Sequence, residues 1–72
     1  MSKADEMFEK YGYKRKDLGV YNELNIMYAK DDGTFINFIP GLRGVTTGEN
    51  TVVFIQELQA INEKVKELGW NE

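Results

Sequence analysis

The chain of 72 residues contains no cysteine and no histidine, a single serine, one proline and one tryptophan. Without cysteine there can be no disulfide, no thiolate nucleophile and no thiolate–zinc site. Without histidine the commonest metal ligand and the commonest general base are gone as well. The lack of cysteine fits a reducing compartment. No apolar run exceeds the four residues Val52 to Ile55, so neither a membrane span nor a signal peptide is expected. The chain therefore reads as soluble, cytoplasmic and free of cofactors. Basic charge is also short: nine Lys and Arg against twelve Asp and Glu leave a net charge of −3, which argues against a general nucleic-acid binder. Residues 1–72 make a single small domain. At this size folding buries only about 60% of the unfolded surface, so packing or self-association must replace the missing staples.

The clearest periodic signal is at the end of the chain. Leu58, Ile61, Val65 and Leu68 recur at three- and four-residue steps, which predicts an amphipathic helix over 56–70 with that stripe buried. Gly69 then supplies a left-handed stop, and Trp70 is placed to fold back on Val65. A first helix is expected from Ser2, with Ser2 as N-cap and Ala4, Met7, Phe8 and Tyr11 on its buried side. Its ending, FEKYGY at 8–13, has the same grammar as VKELGW at 65–70: apolar, two charged residues, apolar, glycine, aromatic.

Between the helices the period changes to two. Lys14 to Asp17 reads as a polar connector, 21–30 as a strand with Leu24, Ile26 and Tyr28 on one face, and 34–39 as its partner. A three-residue loop, Asp31 to Gly33, sets Tyr28 opposite Ile36 and Ile26 opposite Phe38, and gathers the apolar residues on one side. A two-residue loop scatters them, so the longer loop is expected, with Gly33 at the left-handed position. Pro40-Gly41 closes that strand and a third strand follows over 44–47. Thr51 to Ile55 suits either a strand or the start of the last helix, and an extended segment that enters the helix near Ile55 or Gln56 is expected. The expected fold is α+β: N-terminal helix, antiparallel meander of three or four strands, C-terminal helix, both helices on one sheet face.

The opening ADEMFEKYGY (4–13), the KDDG hairpin (30–33) and the closing ELQAINEKVKELGW (57–70) together form a pattern. It resembles a group of short uncharacterised proteins encoded in low-GC Gram-positive bacteria and their phages or prophages. The likeness covers most of the chain and is firm at its two ends. It implies an α+β fold and a mobile-element origin. The matching residues are stripe residues and helix stops, so no functional residue is carried over.

No catalytic constellation is visible, and no enzyme is expected. Ser2 is better used as a cap, Asp31-Asp32 is explained by turn chemistry, and the glycines form neither G-x-G-x-x-G nor Walker spacing. Two interaction surfaces remain. Met27, Phe35 and Tyr21 fall on the expected outer side of the sheet and suggest a protein-binding or self-associating face. Lys14, Arg15, Lys16 and Arg43, near tyrosines, suggest a weak single-strand nucleic-acid site as the alternative.

Overall fold

Ser2 opens the first helix as expected: its hydroxyl accepts a hydrogen bond from the Asp5 amide at 3.0 Å, and α1 runs Lys3–Lys10. In the computed structural model, which describes residues 2–48 and 52–70, the chain continues through β1 (Lys14–Arg15), a 3-10 turn (Gly19–Tyr21), β2 (Ile26–Ala29), β3 (Phe35–Ile39), β4 (Gly44–Thr47) and α2 (Ile55–Glu67). The four strands form one antiparallel sheet in the order β1-β2-β3-β4. The α+β architecture is thus an N-terminal helix, a four-stranded meander and a C-terminal helix.

Both helices end in the same motif. At α1, Gly12 has φ +91°, its amide bonds Glu9 O at 3.0 Å and the Tyr13 amide bonds Phe8 O at 3.0 Å. At α2, Gly69 has φ +75°, its amide bonds Lys66 O at 3.1 Å and the Trp70 amide bonds Val65 O at 3.0 Å. These are paired Schellman endings, which reuse orphan carbonyls and turn an aromatic residue back onto the helix. Tyr13 accordingly meets Phe8 edge-on, with ring centroids 5.7 Å apart.

The hairpin takes the three-residue loop. Ile26 stands opposite Phe38 and Tyr28 opposite Ile36, the Lys30 amide bonds Thr34 O at 2.8 Å, and Gly33 has φ +91°. On the inner face Tyr28, Ile36 and Phe38 join Phe8, Tyr13 and Ala60 in one buried cluster, flanked by Ile26, Ile61, Val65, Leu68 and Trp70. Phe8 stacks on Tyr28 at 4.2 Å and meets Phe38 edge-on at 6.2 Å. Aromatic rings tie α1 to the sheet, and the aliphatic residues Ala60, Ile61, Val65 and Leu68 bring α2 and its end onto the same cluster.

Three expectations are corrected. The Lys14–Asp17 connector contains a strand: Lys14 pairs with Ala29, Arg15 with Tyr28, and the Lys16 amide bonds Met27 O at 2.8 Å. Charged residues on a short edge strand give no apolar alternation to read. The 21–30 strand begins only at Ile26. Asp17 and Asn22 side chains tie down the preceding turn, which leaves Leu24 exposed and not in the core. The entry to the last helix is as expected: 52–54 are neither helix nor strand and α2 starts at Ile55, while Thr51 lies outside the described residues.

The largest correction concerns α2. Leu58 is 48% exposed, whereas Glu57 and Lys64 are only 4% and 8% exposed and Ala60 is fully buried. The helix is rolled by roughly 50° from the orientation its apolar stripe predicts, at about 100° per residue. The charged residues are accepted because each meets a partner. Glu57 takes hydrogen bonds from the Tyr13 hydroxyl and from the Phe54 amide (2.8 Å), with Lys30 Nζ at 3.9 Å. Lys64 Nζ lies 3.9 Å from Asp5 and 3.5 Å from Glu67, and Asp5 takes a hydrogen bond from the Tyr28 hydroxyl.

These clusters set an alkaline limit on the fold. Burial first, then the hydrogen bond to Glu57 and its charge, pushes the Tyr13 phenol far above its ordinary value; burial and Asp5 do the same to Tyr28. A phenol whose folded pKa is raised holds its proton after the unfolded chain, at about 10, has begun to lose it. The resulting stability is complete below about pH 10 and falls as pH rises beyond that. Unfolding is therefore expected in strong alkali, with the absorbance of these two phenolates at 295 nm appearing only as the chain unfolds. Ionisation of all four tyrosines in the still-folded protein would contradict this.

Candidate surface on the outer sheet face

Neighbours across an antiparallel ladder share a face, so the register decides which candidate residues meet. Ala29 stands opposite both Lys14 and Phe35, and Met27 opposite Asn37, which in turn faces Thr46. The outer face thus carries Lys14, Met27, Ala29, Phe35, Asn37, Ile39, Gly44 and Thr46. Lys16, bonded through its amide to Met27 O, continues the β1 edge on the same side. Met27 and Phe35 are diagonal neighbours at the centre and are half-buried, while Lys14 and Lys16 are exposed at the edge. Residues that the sequence assigned to two rival sites, Met27 and Phe35 on one hand and Lys14 and Lys16 on the other, lie on one surface.

Three candidates fall elsewhere. Tyr21 is exposed in the 3-10 turn beside Val20. Arg15 belongs to the inner side and places its guanidinium 5.8 Å from the Tyr28 ring centroid, a cation–π contact at the sheet edge. Arg43 sits in the β3–β4 turn with φ +50°, the one non-glycine residue with positive φ among those described. Its conformation is explained by the turn, in which the Arg43 amide bonds Pro40 O at 3.2 Å.

The outer face carries lysines on its edge strand. None of its strand residues is a carboxylate, although the chain has twelve. Six of the twelve lie on the helices, Asp5, Glu6 and Glu9 in α1 and Glu57, Glu63 and Glu67 in α2, while Asp17, Glu23, Asp31 and Asp32 lie in the turns between β1 and β3. Asn37, on the central strand, is 8% exposed; its Nδ2 donates to Asn25 Oδ1 at 3.0 Å, but its own Oδ1 has no hydrogen-bond partner among the described residues. A buried carbonyl left unpaired is uncommon and costs about 1–3 kcal/mol. No sequence signal marks it, since an asparagine on an outward strand position reads as ordinary polar surface.

A second feature was missed by the sequence reading. A cavity of about 280 Å³ opens at the start of α2, lined by Tyr11, Lys30, Phe54, Gln56 and Glu57. It lies over the Glu57 cluster, where Lys30 Nζ sits 4.9 Å from the Tyr13 ring centroid. The Tyr13 phenol is driven away from ionisation, the opposite of what a base or nucleophile at neutral pH requires.

Among the described residues no group of three or more carboxylates converges as a metal site, and no helix is long and apolar enough to cross a membrane. Comparison with protein-family models, with curated proteins and with solved structures gave no match to this chain.

Proposed function

We propose that the protein is a non-enzymatic interaction module that binds an acidic protein segment on its outer sheet face. The observation that carries this reading is the charge segregation: an apolar centre at Met27 and Phe35, lysines at the edge, and no carboxylate on the strands of that face. Complementary charge steers association and sets specificity, and a half-buried Met–Phe pair offers apolar contact once water is excluded. A phage or prophage origin is in keeping with a small adaptor of this kind. Cation and aromatic on one face also favour the second reading, a single-strand nucleic-acid binder contacted through Lys14 and Lys16.

The test is an array of peptides that combine Asp and Glu with Leu and Phe, followed by titration of the best binder. Met27→Glu is expected to weaken binding at least tenfold, and Lys14→Glu with Lys16→Glu to weaken it while flattening its salt dependence. Selection of no peptide, or peptides indifferent to Met27→Glu, would end the protein-binding reading. An oligo-dT strand that binds with a steep salt slope would move the assignment to nucleic acid.

A further inference from the structure

β1 is paired along one side only. It stands first in the sheet order, and no strand lies beyond it among the described residues. The Lys16 amide bonds Met27 O, and antiparallel bonding alternates along a strand. Lys14 and Lys16 therefore direct their amides and carbonyls to β2, while Arg15 between them directs its own away from the sheet. All three side chains are exposed, and none forms an ion pair among the described residues. We infer that the acidic segment proposed above is held as a fifth strand along β1 and is read as acid-x-acid, with its two acids beside Lys14 and Lys16. The inference rests on that reading and adds how the segment is gripped.

Backbone and charge together define the occupant. An edge with outward amides and carbonyls accepts an extended chain. In an antiparallel addition the residue opposite Arg15 exchanges two backbone hydrogen bonds with it, and its two neighbours face Lys14 and Lys16. Those neighbours share the outer face with the lysines, and non-hydrogen-bonded pairs bring side chains closest, so carboxylates there meet ammonium groups directly. Asp17 does not neutralise the lysines, because its carboxylate accepts from the Gly19 amide and the Asn22 side chain, each at 2.9 Å. Arg15 is kept to the inner side by the Tyr28 ring. The β1 strand of a second copy is the wrong occupant, since it would set three cations against three. The opposite edge, β4, reads Gly-Val-Thr-Thr and has no charge with which to select an acid. Lysines on an edge deter neutral and basic strands, and the same charges make β1 selective for an acidic one.

The test changes the peptide and leaves the protein intact, so folding is not at stake. A peptide centred on Glu-Thr-Glu should bind about tenfold more tightly than the same peptide permuted to Glu-Glu-Thr, which puts one carboxylate on the wrong face. N-methylation of the central Thr removes the donor to the Arg15 carbonyl and should weaken binding about tenfold. N-methylation of either glutamate, whose amide points away from β1, should change it by about twofold or less. Hydrogen exchange followed by NMR should show the Arg15 amide slowed about tenfold in the complex. Lys14→Glu with Lys16→Glu should reverse the preference, from Glu-Thr-Glu to Lys-Thr-Lys. If acidic peptides bind but the two permutations bind alike, or if methylation of the central residue costs nothing, strand addition is overturned and the acidic-segment reading stands. If no acidic peptide binds at all, both fall.

Discussion

Glu57→Ala is expected to destabilise the domain by about 3 kcal/mol, the lower end of the cost of breaking a buried charged cluster. Glu57 is 4% exposed, and its carboxylate answers the Tyr13 hydroxyl, the Phe54 amide and Lys30. Alanine leaves the phenol and the amide as orphan donors, each of which loses a hydrogen bond to a charged group. Lys30 is partly exposed and can turn towards water, which keeps the cost from rising further. A single-core domain of this size rarely has more than about 3–5 kcal/mol to lose, so most of the cooperative transition should vanish. The neighbouring Leu58→Asp supplies the contrast, because an exposed position away from buried partners shifts stability by about 0.5 kcal/mol or less. Urea unfolding followed by circular dichroism measures both. A wild-type midpoint for Glu57→Ala, or a collapse of Leu58→Asp, would show that α2 buries the face its apolar stripe predicts.

Phe8→Ala should be as damaging, at about 3–5 kcal/mol. Phe8 is 1% exposed and touches three other rings: stacked on Tyr28 at 4.2 Å, edge-on to Tyr13 at 5.7 Å and edge-on to Phe38 at 6.2 Å. It is the residue through which α1, its glycine ending and two central strands meet. Truncation leaves a cavity among groups fixed by hydrogen bonds, so the site cannot close. Phe8→Leu, which restores most of the volume, should recover much of the loss. The near-ultraviolet circular dichroism of the surrounding tyrosines reports the result directly, and an unchanged spectrum for Phe8→Ala would remove Phe8 from the centre of the core.

Local chemistry was readable from the sequence, and long-range chemistry was not. Gly12, Gly69 and Gly33 announce backbone conformations that few other residues adopt cheaply, so both helix endings and the hairpin register could be read from a few neighbours. Glu57 and Lys64 belong to the core only because Tyr13 and Asp5, remote in sequence, come to meet them. Apolar periodicity has no means of recording such a meeting: it set Ile61, Val65 and Leu68 against the core, and it misplaced Leu58. The same limit applied to the candidate surface. Met27, Phe35, Lys14 and Lys16 were identified individually, but their union depends on the β1 strand, whose charges made it look like a connector. The cavity beside Phe54 depends on the roll of α2 and was out of reach for that reason.

The two tyrosine–carboxylate–lysine clusters grip α2 near its start and near its end, at Glu57 and Lys64. They act as stops against axial rotation. A turn that hid Ile55 and Leu58 would drag Glu57 or Lys64 from its partners, so hydrophobic gain on one side is cancelled by ionic loss on the other. The domain is thereby confined to one seating of its last helix, and the seating it is held in is the one that keeps greasy side chains available at the surface.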